Sequence, residues 1–390
     1  MTLGVLRDLM DEVPEYCRLR EKLTGAARTL TVETPARAAA FTLGALRRDM
    51  DAPILVVAPR PEDARRLHEQ LVAWCGDDTG LLHFAESEIL PFERLDSDME
   101  TVHQRLRVLS GIDERDGDRK VMVVASVGAL MQRTIGRDAA EAGSHTLRRG
   151  EEVELGELLD LWRRLGYRFE SAVYAPGVVS RRGGIIDVFP VAAEMPVRIE
   201  LWGNEVDSIR QFDPATQRSG EVVESVRVTP AHEILPAMTP YGELERLAAR
   251  VDVGNCTPSV QSRIREELEL LMEGQEVEEQ GFYAGFFNSG GLADYFTEGA
   301  ARAGSNAVLV AYKPDEIADA AWEIQERENQ LRETKEGRGE LPHNFPSSHL
   351  SWSEVEVQFE RFGKRLDLTV GSEVVSPLDG TGADIDGQDE

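Results

Sequence analysis

The chain is poor in the residues that build metal sites, disulfide frameworks and membrane spans. Its three cysteines, Cys17, Cys75 and Cys256, lie far apart and form no CxxC pair, and its seven histidines are scattered. Neither a zinc signature nor a disulfide framework can be written from them. A lone cysteine is usually a small buried hydrophobe. No apolar run reaches the roughly 18 residues that a membrane span needs. The N-terminal stretch MTLGVLRDLMDEVPEYCRLREKL carries early acids and no small-residue cleavage site, so it does not read as a signal peptide. A cytoplasmic protein is expected. Positive charge is scarce as well: 43 Lys and Arg against 71 Asp and Glu leave a net charge of −28. Binding to a phosphate backbone relies on Lys and Arg displacing counterions. The chain as a whole is therefore not expected to be a general DNA-binding surface, although a local basic patch stays open, and its acidity is read as solubility or adaptation to salt.

What is present is an ordinary globular composition, 41 % hydrophobic over 390 residues, enough for two or three domains with real cores. Strand and helix patterns alternate at first. Thr29–Thr34, Ile54–Ala58 and Val121–Ala125 read as strands, the last two as the continuous apolar runs of a buried parallel sheet. Helices are expected at 3–22, 36–48, 61–74 and 100–112. From about residue 150 the texture changes. A short helix, Leu155–Leu165, precedes strand candidates at Gly184–Phe189, Val197–Trp202, Glu205–Phe212 and Val222–Val228, separated by turn residues. Helical patterns return from 240 to 335, broken by one more apolar strand, Ala307–Ala311. The expected fold class is α/β: a parallel sheet split by a mainly β insertion. The expected boundaries are 1–145 and 237–345 for the two halves and 146–236 for the insertion. Residues 346–390 are expected to be a linker and a disordered tail. The last twenty residues hold six acids and no base, too little apolar area to offset ordering.

The most specific stretch is Val179–Ser219. The blocks RGGIIDVFP, PVRIELWGNEVDSIR and FDPATQRS follow one another within about 40 residues. Together they resemble the UvrA-binding domain shared by UvrB and the bacterial transcription-repair coupling factors. Two further stretches favour the coupling factors. Leu90–Leu95, LPFERL, is similar to their LPYERL segment. Gly281–Tyr283, Leu292–Tyr295 and Trp322–Arg332 resemble the second half of their split domain. No aromatic-tipped DNA hairpin of the UvrB kind is legible. The resemblance implies a RecA-like sheet with a degenerate P-loop, interrupted by the UvrA-interaction domain.

A working P-loop is GxxxxGK[ST] between a strand and a helix. Its glycines let backbone N–H groups curl around phosphate, and its lysine adds a mobile charge. Aligned by resemblance to UvrB, this chain offers Lys22–Thr29, KLTGAART. Gly25 and Thr29 are kept, two glycines are lost, and Arg28 stands for the lysine. Arg28 is a planar fork and not a compact ammonium. After Val121–Ala125 the chain continues with Ser126, and no DExx run follows to hold magnesium. No cofactor is expected for this chain, although the resemblance implies ATP and magnesium for the full-length family.

On a strand over Val197–Trp202, alternation sends Val197, Ile199 and Leu201 to one face and Arg198, Glu200 and Trp202 to the other. A tryptophan on a polar face either covers a neighbouring strand or anchors an interface, where Trp and Arg are enriched. The resemblance supports an anchor. The family's UvrA contacts fall on Arg182, which opens RGGIID, on Arg198, which opens RIELW, and on Trp202, where coupling factors often carry phenylalanine. Gly183 and Gly184 are expected to serve close strand approach, and Asp213, Pro214 and Gln217 a turn. The implied function is a UvrA-recruiting module for transcription-coupled nucleotide excision repair. It would be truncated before the segments that bind RNA polymerase and DNA and hydrolyse ATP, and it would have no membrane partner. The alternative is a UvrB-like, ATP-dependent damage-verifying helicase subunit. A DNA-binding protein is a third reading, which the net charge opposes.

Overall fold

The computed structural model describes residues 3–76, 80–114, 121–239, 241–302 and 307–371. The first strands are β1 (Thr29–Pro35), β2 (Ile54–Ala58), β3 (Leu81–Phe84) and β4 (Met122–Ser126). The middle of the chain gives β5 (His145–Arg148), β6 (Arg168–Phe169), β7 (Val178–Arg182), β8 (Ile185–Val188), β9 (Val197–Trp202), β10 (Glu205–Phe212), β11 (Ser219–Val222) and β12 (Ser225–Val228). The last two are β13 (Val308–Tyr312) and β14 (Lys364–Gly371).

β2, β4 and β13 are the apolar runs, and each is buried along its whole length. Strands covered on both faces cannot alternate, so they pair side by side in the middle of a parallel sheet. The order is β1-β14-β13-β2-β4-β3, with every pair parallel. Segments from both ends of the chain thus share one sheet. One face packs on the helices Pro14–Thr24, Ala36–Asp49 and Pro61–Cys75 through Leu23, Leu43, Leu46 and Leu71. The other face packs on Leu106 and Leu109, on Tyr295 and Phe296, and on Ile317 and Val355.

The middle strands make a second, mainly antiparallel sheet of order β11-β10-β9-β8-β7-β6, and β12 pairs with β5 apart from it. Val179, Ile186, Val197, Ile199 and Ile209 line its inner face and join Trp162, Leu158 and Leu159 of the helix Leu155–Arg164. Fully burying such a side chain contributes roughly 1.5–3 kcal/mol. A one-residue slip would turn the whole set outward, so the register is strongly specified. This core is continuous with the second face of the parallel sheet. A buried ion pair crosses the join. Arg105, 2 % exposed, donates from Nε to Glu233 at 2.9 Å and from Nη1 to Gln132 at 3.0 Å and the Ala85 carbonyl at 3.1 Å.

Several expectations are corrected. Residues 3–22 are not one helix: a 3₁₀ helix, Leu3–Glu12, gives way to an α-helix starting at Pro14, a residue favoured in a helix's first turn. Val222–Val228 is not one strand, because β11 pairs with β10 whereas β12 pairs with β5. Residues 346–371 are not a linker. Ser351 caps the helix Trp352–Glu360 with a full capping box, and β14 is then inserted between β1 and β13. The expected tail at 372–390 lies outside the described residues.

Candidate protein-interaction surface

The outer face of the antiparallel sheet is set by register. Ser180 faces Asp187, which faces Arg198. Arg182 faces Ile185, which faces Glu200, and Trp202 faces Glu205. Cross-strand partners share a face, so these residues stand together, opposite the buried Val197 and Ile199. The β7–β8 and β9–β10 connections are tight, with Gly183 at φ 65° and Gly203 at φ 63°. Glycine reaches that region without steric cost. Both turns lie at the same end of the sheet, and they place Arg182 and Trp202 as the last residues of their strands.

Trp202 is 82 % exposed. It covers no neighbouring strand, so the bland reading of this tryptophan does not hold. Arg182 is also exposed. Its Nη2 donates to the Ser171 carbonyl at 3.0 Å, and it has no carboxylate partner among the described residues. Ile185, 38 % exposed, lies between Arg182 and the β9 strand. Ile185 is hard to place from the sequence because two adjacent isoleucines, Ile185 and Ile186, leave open which one faces out.

Arg198 is on the expected face but in a different situation. Its Nε and Nη2 donate to the two oxygens of Asp187 at 2.7 and 2.8 Å, and its guanidinium lies 5.1 Å from the Phe212 ring centre. Nη1 reaches Ser219 Oγ at 3.3 Å. The Asp187 carboxylate holds the guanidinium pKa above its usual value. Asp187 is nearly buried, and the Arg198 side chain is only 20 % exposed. Most of its fork is therefore committed inside the protein. At this end the outer face is covered by the segment 170–177, which buries Val173 on Val178, Phe189 and Phe212. The turn after β10 pins that segment. Asp213 accepts from the Ala215 and Thr216 amides, and Gln217 donates to the Val173 carbonyl at 3.0 Å. The sheet thus has one sealed end and one open end, and Arg182, Ile185 and Trp202 mark the open one.

The segment expected to be a decayed phosphate loop lies at the wrong edge of the parallel sheet. Lys22 lies in the last turn of the helix that ends at Thr24, Gly25 follows it, and Thr29 begins β1. A phosphate loop leaves the carboxyl end of a strand, whereas this turn leads into one. Its polarity is also reversed. The carbonyls of Gly25 and Ala27 accept from Lys364 Nζ, and the Arg28 carbonyl accepts from the Arg365 amide at 2.7 Å. The strand-to-helix junction is instead Pro35–Ala36, where β1 passes into the next helix with no residue between. A proline there has no N–H to offer.

Ligands of open α/β sheets bind outside the carboxyl ends of the strands. Here the helix Pro314–Gly337 runs past those ends. Glu323 reaches Arg60, just beyond β2. Ile324, Glu328 and Leu331 line, with Glu86, Gly128 and His349, a cavity of about 110 Å³. The Glu86 carboxylate accepts from Ser126 Oγ and lies against Gly128, where a side chain would collide with it. Burial raises the Glu86 pKa. Among the described residues no group of His, Cys, Asp and Glu could hold a metal ion, and no helix is long and apolar enough to cross a membrane.

The LPFERL stretch is an internal staple. Phe92 is buried at φ 62°, a strained value for a bulky residue. Arg94 pairs with Glu267 at 2.9 Å and lies 4.0 Å from the Phe282 ring centre.

Residues 146–234 match the UvrB interaction domain family, and that span holds both Arg182 and Trp202. Transcription-repair coupling factors are similar over most of the chain. The Myxococcus xanthus protein is 27 % identical over 82 % of this chain and 27 % of its own length. The Bacillus subtilis protein is 27 % identical over 87 % and 28 %. The Escherichia coli protein is 30 % identical over 55 % and 17 %. The chain thus spans about a quarter or less of the length of these relatives. The fold class and the resemblance read from the sequence both hold.

Proposed function

We propose that this chain is a docking module that recruits UvrA in transcription-coupled nucleotide excision repair. The open end of its β-rich unit is the recruiting surface. The observation that carries this reading is the Trp202 indole, 82 % exposed on a sheet whose other face is core. A large amphipathic ring held on a rigid strand loses little entropy on binding, which is why tryptophan dominates interface energetics. Arg182 adds a guanidinium with no internal carboxylate, free to pair bidentately with one on the partner. Arg198 belongs to the same face, but its main role is to hold Asp187 and the sheet.

Neither ATP hydrolysis nor a magnesium site is assigned to these residues. The strand-to-helix junction at Pro35 leaves no cradle for phosphate, and the helix Pro314–Gly337 occupies the carboxyl edge. This favours docking over the alternative of a damage-verifying helicase. Contacts with RNA polymerase and DNA, and ATP-driven movement, are proposed for the remaining length of such coupling factors. A cytoplasmic location goes with this role.

Titration of the chain against purified UvrA tests the reading. Trp202→Ala is expected to weaken binding by about 2–4 kcal/mol and Arg182→Ala by about 1–2 kcal/mol. Because both side chains are exposed, the melting temperature should not move. Unchanged affinity in the double variant would refute the proposal.

A further inference from the structure

Charge is sorted by side across the open end of the sheet. On one side of the indole, two strands away on β7, stands Arg182, with Ile185 between them on β8. On the other side Glu205 faces Trp202 across the β9–β10 turn, and Glu152 faces Glu205 in a further antiparallel bridge. Backbone bonds hold this extension in place: Val153 N to Asn204 O at 2.7 Å and Val206 N to Glu151 O at 2.9 Å. Glu152 and Glu205 are exposed, and neither has a cation partner among the described residues. Neighbouring strands are about 4.8 Å apart, so the row from Arg182 to Glu152 covers roughly 19 Å. Strand by strand the order is a cation on β7, an aliphatic side chain on β8, then on β9 Glu200 opposite Ile185 with the indole two residues beyond it, and last the carboxylates of Glu205 and Glu152.

Most of the arginines described above are neutralised at home, Arg198 by Asp187, Arg105 by Glu233 and Arg94 by Glu267. A row that leaves both signs unpaired beside an exposed indole fits a partner surface of complementary sign, since charge matching across an interface sets orientation and rejects the wrong register. We infer that the matching surface of UvrA carries an apolar socket for Trp202 and Ile185. An acidic group would face Arg182, and a basic group would face Glu205 and Glu152. The polarity of the row then fixes which way round the partner docks. This deepens the UvrA reading and rests on it.

The test is the affinity of the full chain for purified UvrA, with melting temperature as the folding control. Glu152→Lys/Glu205→Lys is expected to weaken binding about tenfold or more, and Glu152→Gln/Glu205→Gln about two- to fivefold. Ile185→Ser should cost about threefold or more through lost apolar contact. Wild-type affinity in the double lysine variant, with Trp202→Ala still impaired, would overturn the charge assignment and leave the docking reading standing. If Trp202→Ala binds as tightly as wild type, the docking reading fails and takes this inference with it. Since all four positions are exposed, a melting temperature within a degree or two of wild type is expected. A double lysine variant that keeps wild-type stability and loses affinity supports the assignment.

Discussion

The open end of the antiparallel sheet and the ends of the parallel sheet differ in how some of their charges are met. Around the parallel sheet, several ionic groups are answered from within. Lys364 is held by two backbone carbonyls, Lys313 by Asp63 and Glu316, and Glu86 by Ser126. On the open end of the antiparallel sheet, Arg182, Glu205 and Glu152 have no ionic partner among the described residues, and Trp202 stands in solvent. Water solvates such charges singly; set beside an exposed indole on a rigid strand, they suit a partner of matching sign. The carboxyl edge, where the ancestral chemistry of an α/β fold would lie, is closed by the chain's own long helix. The edge that is left open is a flat, rigid face suited to another protein.

The sharpest way to break this contrast compares two arginines on the same face. Arg198→Ala would leave Asp187 nearly buried and unpaired, which should reduce stability by about 2–4 kcal/mol, a value discounted for the part of the guanidinium that water reaches. Arg182→Ala should change stability by less than about 0.5 kcal/mol. Denaturant unfolding of both variants decides it. Equal effects would mean that the sealed and open ends do not differ.

A second test concerns the join between the two units. His103 is 6 % exposed, beside Gly177 and hydrogen-bonded to the Ala231 backbone, with Arg107, His232 and Arg168 nearby. Burial, reinforced by the Arg107 charge, pushes its pKa down to about 4 from an ordinary 6.5. Between those values the unfolded chain binds the extra proton. The contribution of neutral His103 is therefore full above pH 6.5 and is lost as pH falls towards 4, on the order of 3 kcal/mol in all. Thermal unfolding across that range should show the slope, and His103→Gln should flatten it. An unchanged slope in the variant would place the acid sensitivity elsewhere.

The smallest effect concerns the closed edge. Millimolar Mg-ATP should leave the melting temperature where it is, because a ligand stabilises only as far as it binds the folded state. A dose-dependent rise would reopen the helicase reading.

The sequence made some of this legible. Ile54–Ala58, Val121–Ala125 and Ala307–Ala311 are continuous apolar runs, which have few structural uses besides a buried strand. Trp202 could be placed by alternation alone. β14 escaped because only Leu366 and Leu368 are fully buried in a run whose other residues include Lys364, Arg365, Asp367 and Thr369. Its place next to the edge strand β1 depends on pairing with residues more than 300 positions away. The Asp187–Arg198 pair escaped for a related reason: alternation gives the face of a side chain, but its partner is a matter of register. Lys22–Thr29 misled because a string of matching residue types was weighed without asking which end of which strand it adjoins. Nothing in the sequence alone places Glu152 near the indole. Only the bridge to Glu205 brings it beside the indole.

The most direct measurement is amide hydrogen exchange of the whole chain with and without purified UvrA. Added protection is expected in the turns spanning 182–185 and 202–206 and in the adjoining segment 151–153, with none along the helix Pro314–Gly337 or the segment 86–91. Protection confined to the long helix and the carboxyl edge, with the two turns unchanged, would contradict the account.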